Sequence, residues 1–306
     1  MNIPNTNDSS TKAPALKVFL NTGTLRDLPK GSALFDKTLS KRYETIHQAG
    51  FHGLQDGHID SARDAGLELT GSCRINHPLE VLPLIEQHQS KGFLASTLHV
   101  GWGIESDAEI DALLSAIISV STKLNYPLFV ETHRATITQD NWRTVQAVLR
   151  FPETRFNGDF SHWYTGHEMV YGDWQTKIQF MQPVLERVRF IHGRIATPGS
   201  IQAPLTANSN AKYIVHFREI WRRCFEGFLK SAKKGDFIIF APELLPPVIH
   251  YAQTFQNNSG EATELSDRWQ DALLLKQIAE EEFENARMNT SVGYKLTPTS
   301  TPTDRT

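Results

Sequence analysis

Eight short, strongly apolar runs recur along the chain, each separated from the next by a segment with room for an amphipathic helix. The runs are KVFL (17–20), GLQD (53–56), LELTGSC (67–73), ASTLHVG (95–101), PLFVE (127–131), RFNGD (155–159), RFIHGR (189–194) and FIIFAPE (237–243). Runs this short and apolar lack a wet face, the pattern of parallel strands covered by helices. Between them the period lengthens. In SDAEIDALLSAIISVSTKL, Ser106 and Glu109 have capping-box spacing, and Ile110, Leu113, Leu114, Ile117 and Ile118 share one helical face. Phe35, Leu39, Tyr43 and Ile46 make an earlier stripe, and HFREIWRRCFEGFLKSA a later one. Eight strand–helix units in 306 residues predict an α/β chain closed into a single-domain (β/α)8 TIM barrel. An open doubly wound sheet is the alternative. Against it, the first run leads into NTGTLRDLPKG, which has no GxGxxG phosphate turn.

The barrel is expected over 15–289, including an added C-terminal helix in ELSDRWQDALLLKQIAEEEFENAR that would serve as an outer brace or a subunit contact in a homo-oligomer. The polar lead 1–14 and the tail 290–306 are expected to be disordered. Lys+Arg total 31 against Asp+Glu 34, so no basic field attracts a nucleic acid. No apolar run approaches the roughly 20 residues that cross a bilayer, and the N-terminus has no signal-type apolar region. A membrane partner is therefore not expected. Cys73 and Cys224 form neither a disulfide framework nor a CxxC pair, which suits small buried residues in a reducing cytoplasm.

In a barrel the C-terminal ends of all strands meet at one face, where active sites are built. Glu131 (FVETH), Asp159 and His162 (NGDFSH), His192 (IHGR) and Glu243 (APELLPP) stand at such ends. Three half-desolvated carboxylates beside an imidazole repel one another unless a cation compensates them. One divalent metal ion held by Glu131, Asp159, His192 and Glu243 is the economical explanation. Oxygen-rich ligation with one nitrogen suits Mn²⁺ or Mg²⁺ and admits Co²⁺ or Zn²⁺.

At these residues the chain resembles the xylose isomerase-like barrels, and in particular their ketose 3-epimerase-like sugar isomerase and epimerase branch, over roughly residues 15–255. The resemblance implies Glu, Asp, His and Glu ligands from the fifth to eighth strands, matched by Glu131, Asp159, His192 and Glu243. It also implies a substrate-contacting His three residues after the Asp, matched by His162, and an Arg shortly after the ligand His. Arg194 follows His192 by only two residues, closer than the ketose 3-epimerases place theirs, which leaves the substrate's identity open.

The chemistry can be built from the residues as well. Epimerising or isomerising a sugar or related hydroxy-carbonyl compound requires a base to remove a proton next to the carbonyl, giving an enediolate, and an acid to return one. Glu131 and Glu243, from non-adjacent strands, are the expected catalytic pair. His162, Arg194, His99 and Trp163 are the expected substrate contacts, with Arg134 a candidate anion contact. His77, His133, Trp102 and Trp174 also lie just beyond strand ends. One rival is an endonuclease IV-like zinc phosphodiesterase, whose strand ends are similar but which adds an Asp-x-His pair shortly after the ligand His. Here the stretch after His192 is GRIATPGSIQAPL, with neither residue. A non-catalytic metal-binding barrel is the third reading.

Overall fold

The computed structural model describes residues 3–205, 211–258 and 260–293. A two-residue strand, β1 (Thr6–Asn7), precedes the eight barrel strands: β2 (Ala15–Asn21), β3 (Gly53–Gln55), β4 (Glu68–Ile75), β5 (Ser96–Val100), β6 (Leu128–Glu131), β7 (Phe156–Asn157), β8 (Val188–Gly193) and β9 (Asp236–Pro242). β2 to β9 pair in sequence order, all parallel, and β9 pairs back onto β2 (Val18 opposite Phe240), closing the ring. All eight apolar runs are strands. The fold is a (β/α)8 TIM barrel. Its helices are α1 (Leu39–Gln48), α2 (Ile59–Asp64), α3 (Val81–Ser90), α4 (Asp107–Leu124), α5 (Asn141–Arg150), α6 (Ser161–Gly166), α7 (Trp174–Leu185), α8 (Lys212–Leu229) and α9 (Arg268–Gly293). A hairpin, β10 (Thr254–Gln256) and β11 (Ala262–Glu264), lies between β9 and α9.

The barrel has two apolar layers. Phe19, Ala95, Phe129, Phe190, Phe237, Ile239 and Ala241 fill the interior. The larger cluster, with Ile238, Phe240, Leu128 and Val130 from the strands and Phe217, Trp221 and Phe225 from α8, lies between sheet and helices. On α4 the expected capping box forms, with Glu109 N–H on Ser106 Oγ (3.4 Å) and Ser106 N–H on Glu109 Oε2 (2.8 Å). The expected stripe on α1 is only partly right: Tyr43 and Ile46 are buried, whereas Leu39 begins the helix in solvent.

The N-terminal lead is docked where disorder was expected. β1 pairs antiparallel with β9, Ile3 is buried, and Asn5 and Asn7 donate to the Asp236 carboxylate at 2.8 and 2.7 Å. The physical reason is an acceptor at the start of β9 and an apolar residue near the terminus, which together outweigh a polar composition. The expected tail from 290 lies mostly outside the described residues; α9 continues to Gly293. α9 braces its own barrel, burying Ala272, Leu275, Ala279 and Phe283, with Glu282 held by Arg218 (2.7 Å) and Arg222 (3.3 Å) of α8. Cys73 and Cys224 are free thiols.

α8 meets the turn after α7 at Gly227, where an added Cβ would come within 2.5 Å of the Glu186 Cα. Backbone cannot yield as a side chain can. Gly227→Ala should therefore lower stability by about 1–3 kcal/mol, read by urea denaturation; an unchanged midpoint would mean that α8 shifts freely.

Candidate metal centre at the barrel mouth

Strand periodicity explains why these side chains meet. Phe19, Ala95, Phe129, Phe190 and Ile239 point into the barrel. Counting on in twos along the same strands gives Asn21, Thr97, His99, Glu131, His192 and Ala241, and just past the strand ends His133, Arg194 and Glu243. On β3 and at the end of β7, Gln55, Asn157 and Asp159 complete the polar layer. One ligand atom from each of Glu131, Asp159, His192 and Glu243 lies within 4.8 Å of the others. The four predicted ligands are thus brought together. His192 Nδ1 is 3.5 Å from Glu131 Oε2, 3.4 Å from Glu243 Oε2 and 3.9 Å from Asp159 Oδ2.

The network behind them sets their orientation. Gly23 N–H binds Asn21 Oδ1 (2.8 Å), so Asn21 Nδ2 donates to Gln55 Oε1 (2.8 Å) and to Glu243 Oε1 (3.1 Å). Gln55 Nε2 donates to Thr97 Oγ1 at 2.8 Å, leaving Gln55 Oε1 as the acceptor for His192 Nε2–H at 2.8 Å. That bond keeps a proton on Nε2 and turns Nδ1 toward three carboxylates, with Asn157 Nδ2 3.2 Å away. Asn157 Nδ2 donates to Glu131 Oε2 at 3.0 Å.

Arg194 is where the expectation changes. Its guanidinium is fully buried rather than presented to a ligand. Nη2 pairs with Asp159 Oδ2 and with Glu243 Oε2 (3.1 Å), and Nε donates to Ser161 Oγ (3.0 Å). Nη1 donates to the Glu243 carbonyl at 3.5 Å. Continuing β8's inward parity turns the side chain down onto its neighbours' acids, and Tyr251 covers it, with the guanidinium 4.8 Å from the ring centroid. Trp163 is likewise corrected: it is fully buried, its indole N–H on the Thr138 carbonyl (2.7 Å), so it packs the core and has no face for a substrate.

His162, in the first turn of α6, is buried beside Asp159 (Nε2 to Oδ2 3.5 Å), and its Nδ1 has no hydrogen-bond partner among the described residues. It borders a cavity of about 360 Å³ with Arg134, Gln139, Asp140 and Thr165. His99 donates from Nε2 to Glu131 Oε1 (3.0 Å) and is 36% exposed. Trp102 is exposed, with the Arg74 guanidinium 4.4 Å from its ring centroid. Trp174 is committed to packing, stacked on His216 at 3.7 Å, and His77 is exposed in the loop after β4.

Burial works against charge throughout, and the neighbours decide the outcome. Burial opposes protonation of His192, but Glu243 and Glu131 overcome it and raise the imidazole to about 9. Burial raises Glu131, yet His99 and His192 more than reverse this and hold it well below the usual carboxylate range. Burial dominates for His133, lowered to about 4, and for His162, lowered well below its ordinary value. The centre thus draws positive charge toward the carboxylates. Glu131, Asp159 and Glu243 against Arg194 leave two negative charges once His192 gives up its added proton to act as a ligand. A divalent ion matches that balance, and the Nδ1 lone pair aimed at the acids fits it.

Asn21, Gln55 and Asn157 were not anticipated. The rule that found the acids, polar residues at the inward parity of strand ends, would have found them if it had been applied to amides and to the first half of the barrel.

No protein-family model matches the sequence, and no curated protein matches it. Among solved structures, a xylose isomerase-like TIM barrel protein from Mycobacterium smegmatis in complex with magnesium is similar over 92% of this chain and 97% of that one, at 14% identity and TM-score 0.50. A D-psicose 3-epimerase with D-tagatose from Clostridium cellulolyticum aligns over 90% and 99%, at 9% identity and TM-score 0.47. A probable 3-DHS dehydratase involved in petrobactin synthesis from Bacillus anthracis aligns over 74% and 92%, at 14% identity and TM-score 0.48. The likeness to the Mycobacterium smegmatis protein shows the fold, a (β/α)8 TIM barrel. Among the described residues no helix is long and apolar enough to cross a membrane.

Proposed function

We propose that the chain is a divalent-metal-dependent isomerase or epimerase of a sugar or related hydroxy-carbonyl compound, acting on the proton next to the carbonyl. The observation that supports this most is the buried ring of Glu131, Asp159, His192 and Glu243, two negative charges in excess when His192 is neutral, with His192 Nδ1 turned toward it by the Nε2–H bond to Gln55. The magnesium in the Mycobacterium smegmatis barrel is consistent with Mg²⁺ or Mn²⁺. A divalent ion held by these four residues supplies polarisation of the carbonyl and stabilisation of the charge that develops on its oxygen.

The chain's own residues supply the rest. Glu243, whose side chain is 14% exposed, is the ligand carboxylate open to the mouth, and it removes or returns a proton there. Glu131 acts from the other side of the ring, with His99 holding its outer oxygen. The unpartnered His162 Nδ1 offers a directional contact to a substrate hydroxyl or carbonyl. Free thiols at Cys73 and Cys224 support a cytoplasmic setting. The phosphodiesterase alternative lacks the Asp-x-His ligands after His192.

A screen of ketoses, inososes and small hydroxy-carbonyl acids with metal-loaded protein in D₂O tests the reading, because solvent deuterium uptake next to the carbonyl reports the shared step. Absence of exchange with every class would sink it. Loading with Mg²⁺ should also raise the thermal midpoint, and chelation should return it; at 100-fold over Kd the linkage is about 2.7 kcal/mol. An unmoved midpoint and no bound metal by elemental analysis would remove the basis of the mechanism.

A further inference from the structure

On the far side of Glu131 from the four-residue ring stands a group that the reaction above does not use as ligands. Glu131 and His99 come from the neighbouring strands β6 and β5, and His133 lies two residues past the end of β6. One ligand atom from each of His99, Glu131 and His133 lies within 4.8 Å of the others. The two oxygens of Glu131 divide their work. Oε1 is 3.0 Å from His99 Nε2, whereas Oε2 is 3.0 Å from Asn157 Nδ2 and 3.5 Å from His192 Nδ1. A carboxylate that presents one oxygen to each of two ligand sets has the disposition of a bridge.

His133 carries a second sign of a ligand. Its Nδ1–H donates to the Arg134 carbonyl, which leaves the Nε2 lone pair free. A backbone carbonyl on one ring nitrogen is how metal-bound histidines are commonly oriented. The His99 and His133 ring centroids are 4.3 Å apart, and His99 is part-exposed, so the group is open on one side.

We propose that His99, Glu131 and His133 form a second divalent-metal site, with Glu131 bridging it to the ion held by Glu131, Asp159, His192 and Glu243; this rests on the reading of those four residues as a metal centre. The two sites differ in chemistry. Two imidazoles and one carboxylate select a d-block ion such as Zn²⁺, Co²⁺ or Fe²⁺, whereas three carboxylates and one imidazole also accept Mg²⁺. Ions sharing a bridging carboxylate stand roughly 3.5–4 Å apart. With both sites filled the mouth carries excess positive charge and takes an anionic ligand.

The test is binding stoichiometry. Apo protein is titrated with Co²⁺ and, separately, with Mg²⁺, following bound metal after equilibrium dialysis and the Co²⁺ visible absorption. Expected values are two Co²⁺ and one Mg²⁺ per chain for the wild type, and one Co²⁺ for each of His99→Gln and His133→Ala. His99 is part-exposed, so its variant should fold even if the His133 variant does not. Saturation of the wild type at one Co²⁺, or retention of two by either folded variant, overturns the second site. If the wild type takes one Co²⁺ and Asp159→Asn takes none, the second site falls and the four-residue centre stands; if the wild type takes none, both fall.

Discussion

Glu243→Gln and Glu131→Gln are each expected to lower turnover by about 100- to 10,000-fold, the usual cost of losing a positioned acid or base. Both carboxylates sit in a ring that includes His192, and each has one oxygen held from outside, Glu243 Oε1 by Asn21 at 3.1 Å and Glu131 Oε1 by His99 at 3.0 Å. Glutamine keeps one oxygen but cannot accept the proton. At Glu243 the new amide cannot serve both sides: turned one way its N–H₂ group faces Arg194, and turned the other it faces Asn21 Nδ2, so one donor meets another. Metal occupancy should fall less than turnover. Because the two groups act in sequence, the double variant should be little worse than the poorer single one. Turnover, metal content and deuterium exchange, measured together, decide the roles. A variant that still exchanges hydrogen with D₂O but makes no product has lost only the second proton transfer. Near-normal turnover by both variants, with metal bound, would mean that the proton travels by another group.

Asp159→Asn should have the largest effect on metal and fold together. Asp159 is fully buried, its Oδ1 accepting from Ser161 N–H and Oγ–H and its Oδ2 pairing with Arg194. Removing its charge leaves the buried guanidinium with Glu243 alone. Removing one partner from a buried ion pair typically costs on the order of 3–5 kcal/mol, because the other charge stays desolvated. Divalent ions should therefore bind much more weakly, and the urea midpoint of the metal-free protein should drop. His162→Ala is the contrast. Its Nε2 lies 3.3 Å from Arg194 Nη2 and 3.5 Å from Asp159 Oδ2, and its Nδ1 has no partner among the described residues, so metal content should stay close to normal while substrate use fails. Equal loss of metal from both variants would make His162 a ligand.

How far the site was legible follows from one geometric rule. A strand alternates inside and outside, so an acid at an even offset from an inward apolar residue must enter the barrel. Phe129 leads to Glu131, Phe190 to His192, and Ile239 and Ala241 to Glu243, and the sequence shows each of these offsets directly. The same rule covers Asn21 and Gln55, which went unanticipated because an uncharged amide at a strand end carries no electrostatic demand that sets it apart from any turn residue. Arg194 satisfies the parity too, but parity says only that it enters the ring. That it spends its charge on Asp159 and Glu243, not on a ligand, depends on the spacing between strands and on Tyr251, which returns from a loop after β9 to cover it.

Other departures have the same origin. Trp163 follows His162 by one residue, and the first turn of α6 rotates the two apart, taking the indole into the core and leaving the imidazole beside Asp159. The N-terminal lead is polar in sequence, and only the position of Asp236 at the start of β9 gives Asn5 and Asn7 their partner. The sequence by itself determined the eight strands, their α/β alternation and the four metal-ligand candidates, because periodicity and residue type are properties of the local chain. Closure of the ring came from the pairing of β9 with β2, which the open-sheet alternative lacks. Only the tertiary structure decided which polar groups answer one another, among them Gln55 on His192, Arg194 on Asp159 and His99 on Glu131. Those pairs join residues from different strands, up to 137 positions apart, and their distances are set by strand stagger and side-chain packing, which no local pattern encodes.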